Sequence, residues 1–406
     1  MSGTSRVGAL WPALLAVAAA EGGRRLLSPA PPPAAPVRVD LGTYFSPAEI
    51  DRGRRFARPQ LALALTRGAI ELAALGALVG KPPAVLRRRS RRSEADGAAV
   101  GAGLSLALSV PGLPLRVLAR RRSIAVGLDT QTWRAWAGDL AKMSAIQTVF
   151  AAGGGALVTA ATRRYPRGWW VPAAAGSVLF GAVMAALAPV VLDPLFNTFE
   201  PLPVGQTRSD VLALAADAGV KVGEVYSVDA SRRTTAANAY VSGLGPTKRV
   251  VLYDTLLDRY GRDEIRLVVA HELGHVRHRD VPRGVLYAAI VAPAAALAVQ
   301  RLSGALSPER GTAAALPALA LAASLVSAPI GASGNRLSRA IERRADHFSL
   351  TLAGAPEAFV SFERTIALQN VADLDPPRWV SRLLASHPPT AERIGAAVAF
   401  GQAHPG

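Results

Sequence analysis

The sequence predicts a mainly α-helical, multi-pass membrane bundle of about seven spans, with a small α+β unit at the membrane face. Three observations carry that prediction. Half of the 406 residues are hydrophobic, and they gather in runs long enough to cross a bilayer. Arginine clusters flank those runs, as at Arg87-Arg88-Arg89 and Arg120-Arg121-Arg122. Two stretches, 193–282 and 331–406, instead show the amphipathic periodicity and turn residues of water-exposed structure.

The elements follow in chain order. Residues 7–20 are a short apolar run interrupted by Pro12. Arg6 before it and small residues after it would also suit a signal peptide; a retained first span is favoured because later runs already commit the chain to the membrane. Residues 28–36 are a Pro/Ala-rich connector. Further spans are expected at 61–80, 98–119, 145–161, 169–192, 285–302 and 312–330. The first of these carries Arg67 and Glu71 one helical turn apart, so either both face a partner or wet cavity, or the span starts after Arg67. Between the fourth and fifth of these runs lie an amphipathic helix at 207–218 and strands at 224–228, 237–242 and 249–253. Gly243-Leu244-Gly245-Pro246 turns between the last two strands, and a helix follows at 263–279. The expected division is therefore a membrane region at 1–192, a soluble unit at 193–282, two spans within 283–330 and a helical C-terminal region at 331–406.

Charge and composition narrow the function. The formal charge is +17, and it is almost entirely Arg, since Lys stands only at Lys81, Lys142, Lys221 and Lys248. Basic clusters serve nucleic acid or a membrane surface. Their interleaving with apolar runs favours the membrane and membrane lipids, and no nucleic-acid partner is expected. With no cysteine, thiolate metal sites and disulfides are excluded, so any bound metal must use His and carboxylate.

Such a site is written at His271-Glu272-Leu273-Gly274-His275. Residues four apart share a helix face, so both imidazoles can grip one ion while Glu272 reaches a water beside it, as zinc hydrolases require. A surface helix with two solvated histidines would look the same until a third ligand is found. That ligand must lie on the same side of the membrane. Two expected spans separate the motif from the C-terminal region, and an even number returns the chain to that side. Glu342 is the best candidate, with Asp346 one turn on to accept a hydrogen bond from a ligand imidazole. By itself this segment would read as an exposed helix of Glu–Arg pairs. His278 reads as a solvated helix-end residue, and His347 and His404 carry no assignment. The span count also puts the Arg-rich stretches 21–58 and 120–144 on the site's side, which favours a cytoplasmic catalytic face, although the basic residues 87–92 lie opposite.

Several spaced motifs then coincide. They are Thr132, Trp136, Asp139 and Lys142; Asp193-Pro194-Leu195-Phe196-Asn197-Thr198-Phe199-Glu200-Pro201-Leu202; Asn238-Ala239-Tyr240; Ser338-Arg339 through Glu342 to Ala345-Asp346; and Ser386-His387-Pro388-Pro389 with Arg393. With the His271–His275 motif they resemble the type I CAAX prenyl protease family of integral-membrane zinc metalloproteases, which also includes the HtpX-type proteases. The likeness extends from Tyr44 to Arg393. It implies a helical chamber in the membrane with a zincin-like α+β metalloprotease unit at its face. It also implies one zinc ion per chain held by His271, His275 and Glu342, Glu272 as general base, and Asp346 supporting a ligand. Asn238 and Ala239 would bind substrate main chain by strand addition, and His387 and Arg393 would steady the oxyanion. The implied substrate is a peptide or membrane protein, hydrophobic or lipid-modified. The Arg- and Ala-rich, Cys-free composition resembles that of GC-rich bacteria, so clearance of misfolded membrane proteins stands beside CAAX processing. A non-catalytic scaffold with a relic site is the rival from another class.

Overall fold

The computed structural model describes residues 3–84, 86, 93–243, 248–307, 309 and 311–404, with side chains from residue 11 onward. The expected basic cluster at 87–92 and the turn through Leu244-Gly245-Pro246 lie outside the described residues. The described chain begins with α1 (Gly3–Leu27), followed by α2 (Pro47–Gly80). Ser46 starts α2 with a reciprocal cap: its hydroxyl accepts from Glu49 N at 3.3 Å and its own N–H donates to Glu49 Oε2 at 2.8 Å. The expected span 61–80 is therefore the second half of a longer helix, along which Arg67 and Glu71 pair at 3.9 Å. Next come α3 (Glu94–Ser109) and α4 (Leu113–Ala125), then α5 (Trp133–Arg164) and α6 (Trp170–Val191). A continuous span at 98–119 is not what forms. The chain bends by 49° between α3 and α4, because Pro111 and Pro114 cannot donate the hydrogen bonds that would carry one helix into the next.

Helices α10 (Asp280–Leu306) and α11 (Leu316–Ala353) complete the bundle. Among the described residues five helices are long and apolar enough to cross a membrane, and the bent α3–α4 pair would be a sixth. Helix α1 packs its Ala16 against Ala294 and Ala298 of α10 and Val326 of α11. The last expected span and the first part of the C-terminal region form one helix: α11 runs past residue 330 without a break and ends at Gly354, whose positive φ of 63° closes it.

The water-exposed unit is built on a four-stranded sheet. Its strands are β1 (Phe199–Pro201), β2 (Glu224–Val228), β3 (Ala239–Ser242) and β4 (Arg249–Tyr253), in the order β1-β2-β4-β3. Strands β2 and β4 run parallel, with Val225 opposite Val250, and the two outer pairings are antiparallel. Helices α7 (Gln206–Asp217), α8 (Asp254–Leu257) and α9 (Arg262–Arg277) join it. Val211, Leu214, Val225, Val250, Leu252, Val269 and Leu273 close one core between α7, the sheet and α9. Strand β1 escaped the sequence reading because three residues ending in Pro201 show no alternation. Two further helices, α12 (Pro356–Gln369) and α13 (Thr390–Ala403), pack on α9 and α11.

Side-chain hydrogen bonds between these parts and one close helix crossing hold the arrangement. Thr132 caps α5, Asp139 accepts from Gln131 and Arg233, and Lys142 donates to the Leu195 carbonyl, which ties α5 to the soluble unit. Within the membrane region, α3 crosses α5 at backbone contact. A Cβ on Gly97 or Gly101 would overlap the carbonyl oxygens of Gly155 and Ala151, so only glycine permits the approach. Gly101→Val should therefore lower stability by about 1–3 kcal/mol, read as a fall in melting temperature in detergent. Gly103→Val, with nothing within 4 Å, should leave it unchanged, and equal effects would remove the crossing as the cause.

Candidate metal centre

Helix α9 carries the central motif because its apolar residues point two ways. Ile265, Val269 and Leu273 face the sheet core, while Leu267 meets Leu350 and Phe359 on the other side. The stripe between holds His271, Glu272 and His275. Gly274 lets α11 come close: a Cβ there would stand 3.0 Å from Phe348. On α11 the buried residues Arg339, Glu342, Asp346 and Ser349 recur at three- and four-residue spacing, which aims the two carboxylates at the histidine stripe.

The two Nε2 atoms of His271 and His275 are 3.1 Å apart. Glu342 Oε2 lies 3.2 Å from the first and Oε1 lies 3.7 Å from the second. An ion held tetrahedrally by ligands about 2.0–2.1 Å away spaces those atoms about 3.3 Å apart. The remaining ring nitrogens each lie beside a carboxylate. His271 Nδ1 is 2.9 Å from Asp346 Oδ1, and His275 Nδ1 is 3.0 Å from Asp280 Oδ2. With a proton on each Nδ1, both Nε2 lone pairs and a buried carboxylate face one another. Glu342 Oε2 is buried without a hydrogen-bond donor. Acceptors converging in this way are costly unless a cation sits between them, so the residues fit a metal ion. Among the described residues His271, His275 and Glu342 are the group whose ligand atoms all lie within 4.8 Å.

Asp280 was not singled out from sequence. It lies one residue beyond Arg279, which turns the chain with φ at 56°, so no helical spacing links it to His275. It also accepts from Arg283 at 2.7 Å and from Arg344. Glu363 of α12 was missed as well, a buried acid hidden in an ordinary amphipathic pattern. Arg393 joins it to the site: Nε and Nη2 donate to Asp346 at 2.9 and 2.5 Å, and Nη1 meets Glu363 Oε1 at 2.6 Å. Burial still pushes the Glu363 carboxyl up to about 7. Arg393, expected beside the oxyanion, thus spends all three guanidinium nitrogens on two carboxylates.

The centre opens into a cleft of about 730 Å³ lined by His271, Glu272, Asn238, Ala239, His387 and Arg393 together with apolar residues of α12. Burial raises the Glu272 carboxyl above the usual carboxylate range, with the two imidazoles pulling the other way. Ala239 begins the outer strand β3, and Asn238 Oδ1 accepts from its N–H at 2.9 Å. His387 is 63% exposed, with Nε2 3.5 Å from Glu342 Oε2. His278 stays outside the group, its ring against the Gly274 carbonyl and edge-on to Phe348.

The support of His275 by Asp280 is testable. Asp280→Ala should weaken metal retention by about 10- to 100-fold in competition with a chelator. An unchanged affinity would remove Asp280 from the site, and Asp263→Ala at the start of α9 serves as the control.

Known families resemble this chain over both its membrane helices and the region of the candidate centre. Residues 201–400 match Peptidase family M48, and residues 99–198 match the family described as CAAX prenyl protease N-terminal, five membrane helices. An uncharacterized metalloprotease of Bacillus subtilis, YhfN, is 32% identical over 300 residues, covering 72% of this chain and 70% of its own. A CAAX prenyl protease 1 homolog of Oryza sativa subsp. japonica is 31% identical over 222 residues, 53% of this chain and 52% of its own. The crystal structure of S. mikatae Ste24p has the same fold, with a TM-score of 0.73 at 18% identity over 96% of this chain and 97% of that one. In sequence pattern, extent and fold, the chain belongs to the type I CAAX prenyl protease family of integral-membrane metallopeptidases.

Proposed function

We propose that the protein is a zinc endopeptidase that cuts peptide bonds in membrane-associated, hydrophobic or lipid-modified polypeptides. One observation carries this reading: two imidazoles and a carboxylate converge at ion-binding spacing beside Glu272, at the wall of a cleft. Zinc held there would polarise the scissile carbonyl and lower the pKa of a neighbouring water towards ~7. Glu272 takes one proton from that water as its oxygen bonds to the carbonyl carbon. It then delivers the proton to the nitrogen of the breaking C–N bond, which leaves as an amine. Its place between the two imidazoles at the wall of the cleft suits that exchange.

The other residues bind and hold. Among the described residues strand β3 presents an edge that no strand of the sheet covers, so substrate main chain can pair beside Ala239 with Asn238 at its end. His387 lines the cleft and donates from its ring to the developing oxyanion. Arg393 works through Asp346: the bidentate pair fixes the carboxylate that orients His271. The domain division at 192 and 282 follows the same roles, with the membrane region walling the substrate space, while the expected boundary at 330 falls inside α11, which brings Glu342 to the site. The arginines at 21–58 and 120–144 favour a cytoplasmic catalytic face.

Glu272→Gln should cut peptide hydrolysis by ~10²- to 10⁴-fold while zinc stays bound at one per chain. Cleavage at the unaltered rate would sink the assigned base. Glu342→Ala should lose most of the zinc on dialysis, and unchanged stoichiometry would take Glu342 out of the ligand set.

A further inference from the structure

Helix α11 does a second job beside supplying Glu342. The segment Val380–Leu384 forms a single π-turn, closed by the Ala385 N–H on the Val380 carbonyl at 3.0 Å. A helix end leaves its last carbonyls without partners in the chain. Here four consecutive carbonyls are taken by two side chains of α11, one turn apart. Asn335 Nδ2 donates to Leu383 O at 2.8 Å and Leu384 O at 3.2 Å. Arg339 donates from Nη2 to Arg382 O at 2.9 Å and from Nη1 to Ala385 O. One turn further on, Arg343 pairs with Glu392 at the start of α13. Three residues at i, i+4 and i+8 thus grip the chain on both sides of Ser386-His387-Pro388-Pro389.

The position of this grip matters because of what lies between. Arg339 stands three residues before Glu342 on the same helix, and the carbonyl it holds, Ala385, is two residues before His387. Pro388 and Pro389 restrict the chain on the far side of that histidine. His387 is largely exposed, with its ring Nδ1 2.9 Å from the Ser386 hydroxyl, so few side-chain contacts fix its place. Its backbone must do so. Arg339 is only 8% exposed, and a buried guanidinium that pairs with carbonyls rather than a carboxylate is costly unless it holds something in place.

We propose that Arg339, assisted by Asn335, is a positioning residue for His387, fixing its distance from the metal centre by clamping the π-turn to the helix that carries Glu342. This rests on the role for His387 given above. A donor displaced by about 1 Å from a developing charge can lose on the order of 10²-fold in rate.

The test is a double-mutant cycle on the full-length enzyme, with zinc content, kcat, KM and amide exchange measured on each variant. Arg339→Met should keep zinc at the wild-type ratio, lower kcat by ~10- to 100-fold with KM within about twofold, and speed amide exchange at 383–387. In a His387→Ala background it should cost nothing more. Asn335→Ala, at a half-buried and milder position, should show the same pattern with a smaller fall in kcat. Losses that multiply in the double variant, or wild-type kcat in both Arg339→Met and Asn335→Ala, overturn this inference alone. A His387→Ala enzyme at wild-type kcat overturns the role of His387 and this inference with it.

Discussion

The site depends on one close approach: α11 lies against α9 so that a carboxylate on one meets two imidazoles on the other. Gly274 leaves the space beside α9 that the Phe348 ring fills. Everything around that contact serves to hold charged groups where water cannot stabilise them. Asp346 is 2% exposed and Glu363 2%, and such carboxylates persist only when paired. Arg393 pairs with both, so α12, α13 and α11 are joined by a buried ion-pair chain ending on His271. Asp280 does the same for His275 through Arg283 and Arg344. Each of the two imidazoles thereby has its own carboxylate beside it, and each carboxylate an arginine.

The continuity of α11 links this chemistry to the membrane. Its first half is apolar and packs against α1 and α10, and its second half carries Arg339, Glu342 and Asp346. A rigid helix transmits position, so Glu342 is set by the packing of the bundle rather than by a loop. The glycine crossing of α3 and α5, and the Asp139–Arg233 and Lys142–Leu195 ties, hold the other side of the bundle to the soluble unit. Substrate drawn from a membrane would meet the cleft where these parts join.

Much of this was legible in the sequence because the chemistry is local in spacing. His271 and His275, and Glu342 and Asp346, are each one turn apart, and the strands expected at 224–228 and 249–253 fall where the structure has them. What was not legible depends on the chain folding back. Asp280 follows a left-handed residue that ends the helical register, and Glu363 gains meaning only from Arg393, thirty positions on. Arg393 itself was assigned by resemblance to the oxyanion, and its carboxylate partners could not be seen along the chain. The hydropathy of 98–119 averaged across two prolines and so missed the bend between α3 and α4. The same averaging cut α11 in two at residue 330, where apolar residues give way to polar ones without a change of conformation.

X-ray absorption at the zinc edge of the purified full-length protein tests the central claim most directly. The account predicts one zinc per chain with a first shell of nitrogen and oxygen only, two of them imidazole, and loss of a carboxylate oxygen in Glu342→Ala. A protein that retains no zinc, or a shell with fewer than two imidazoles, would contradict it.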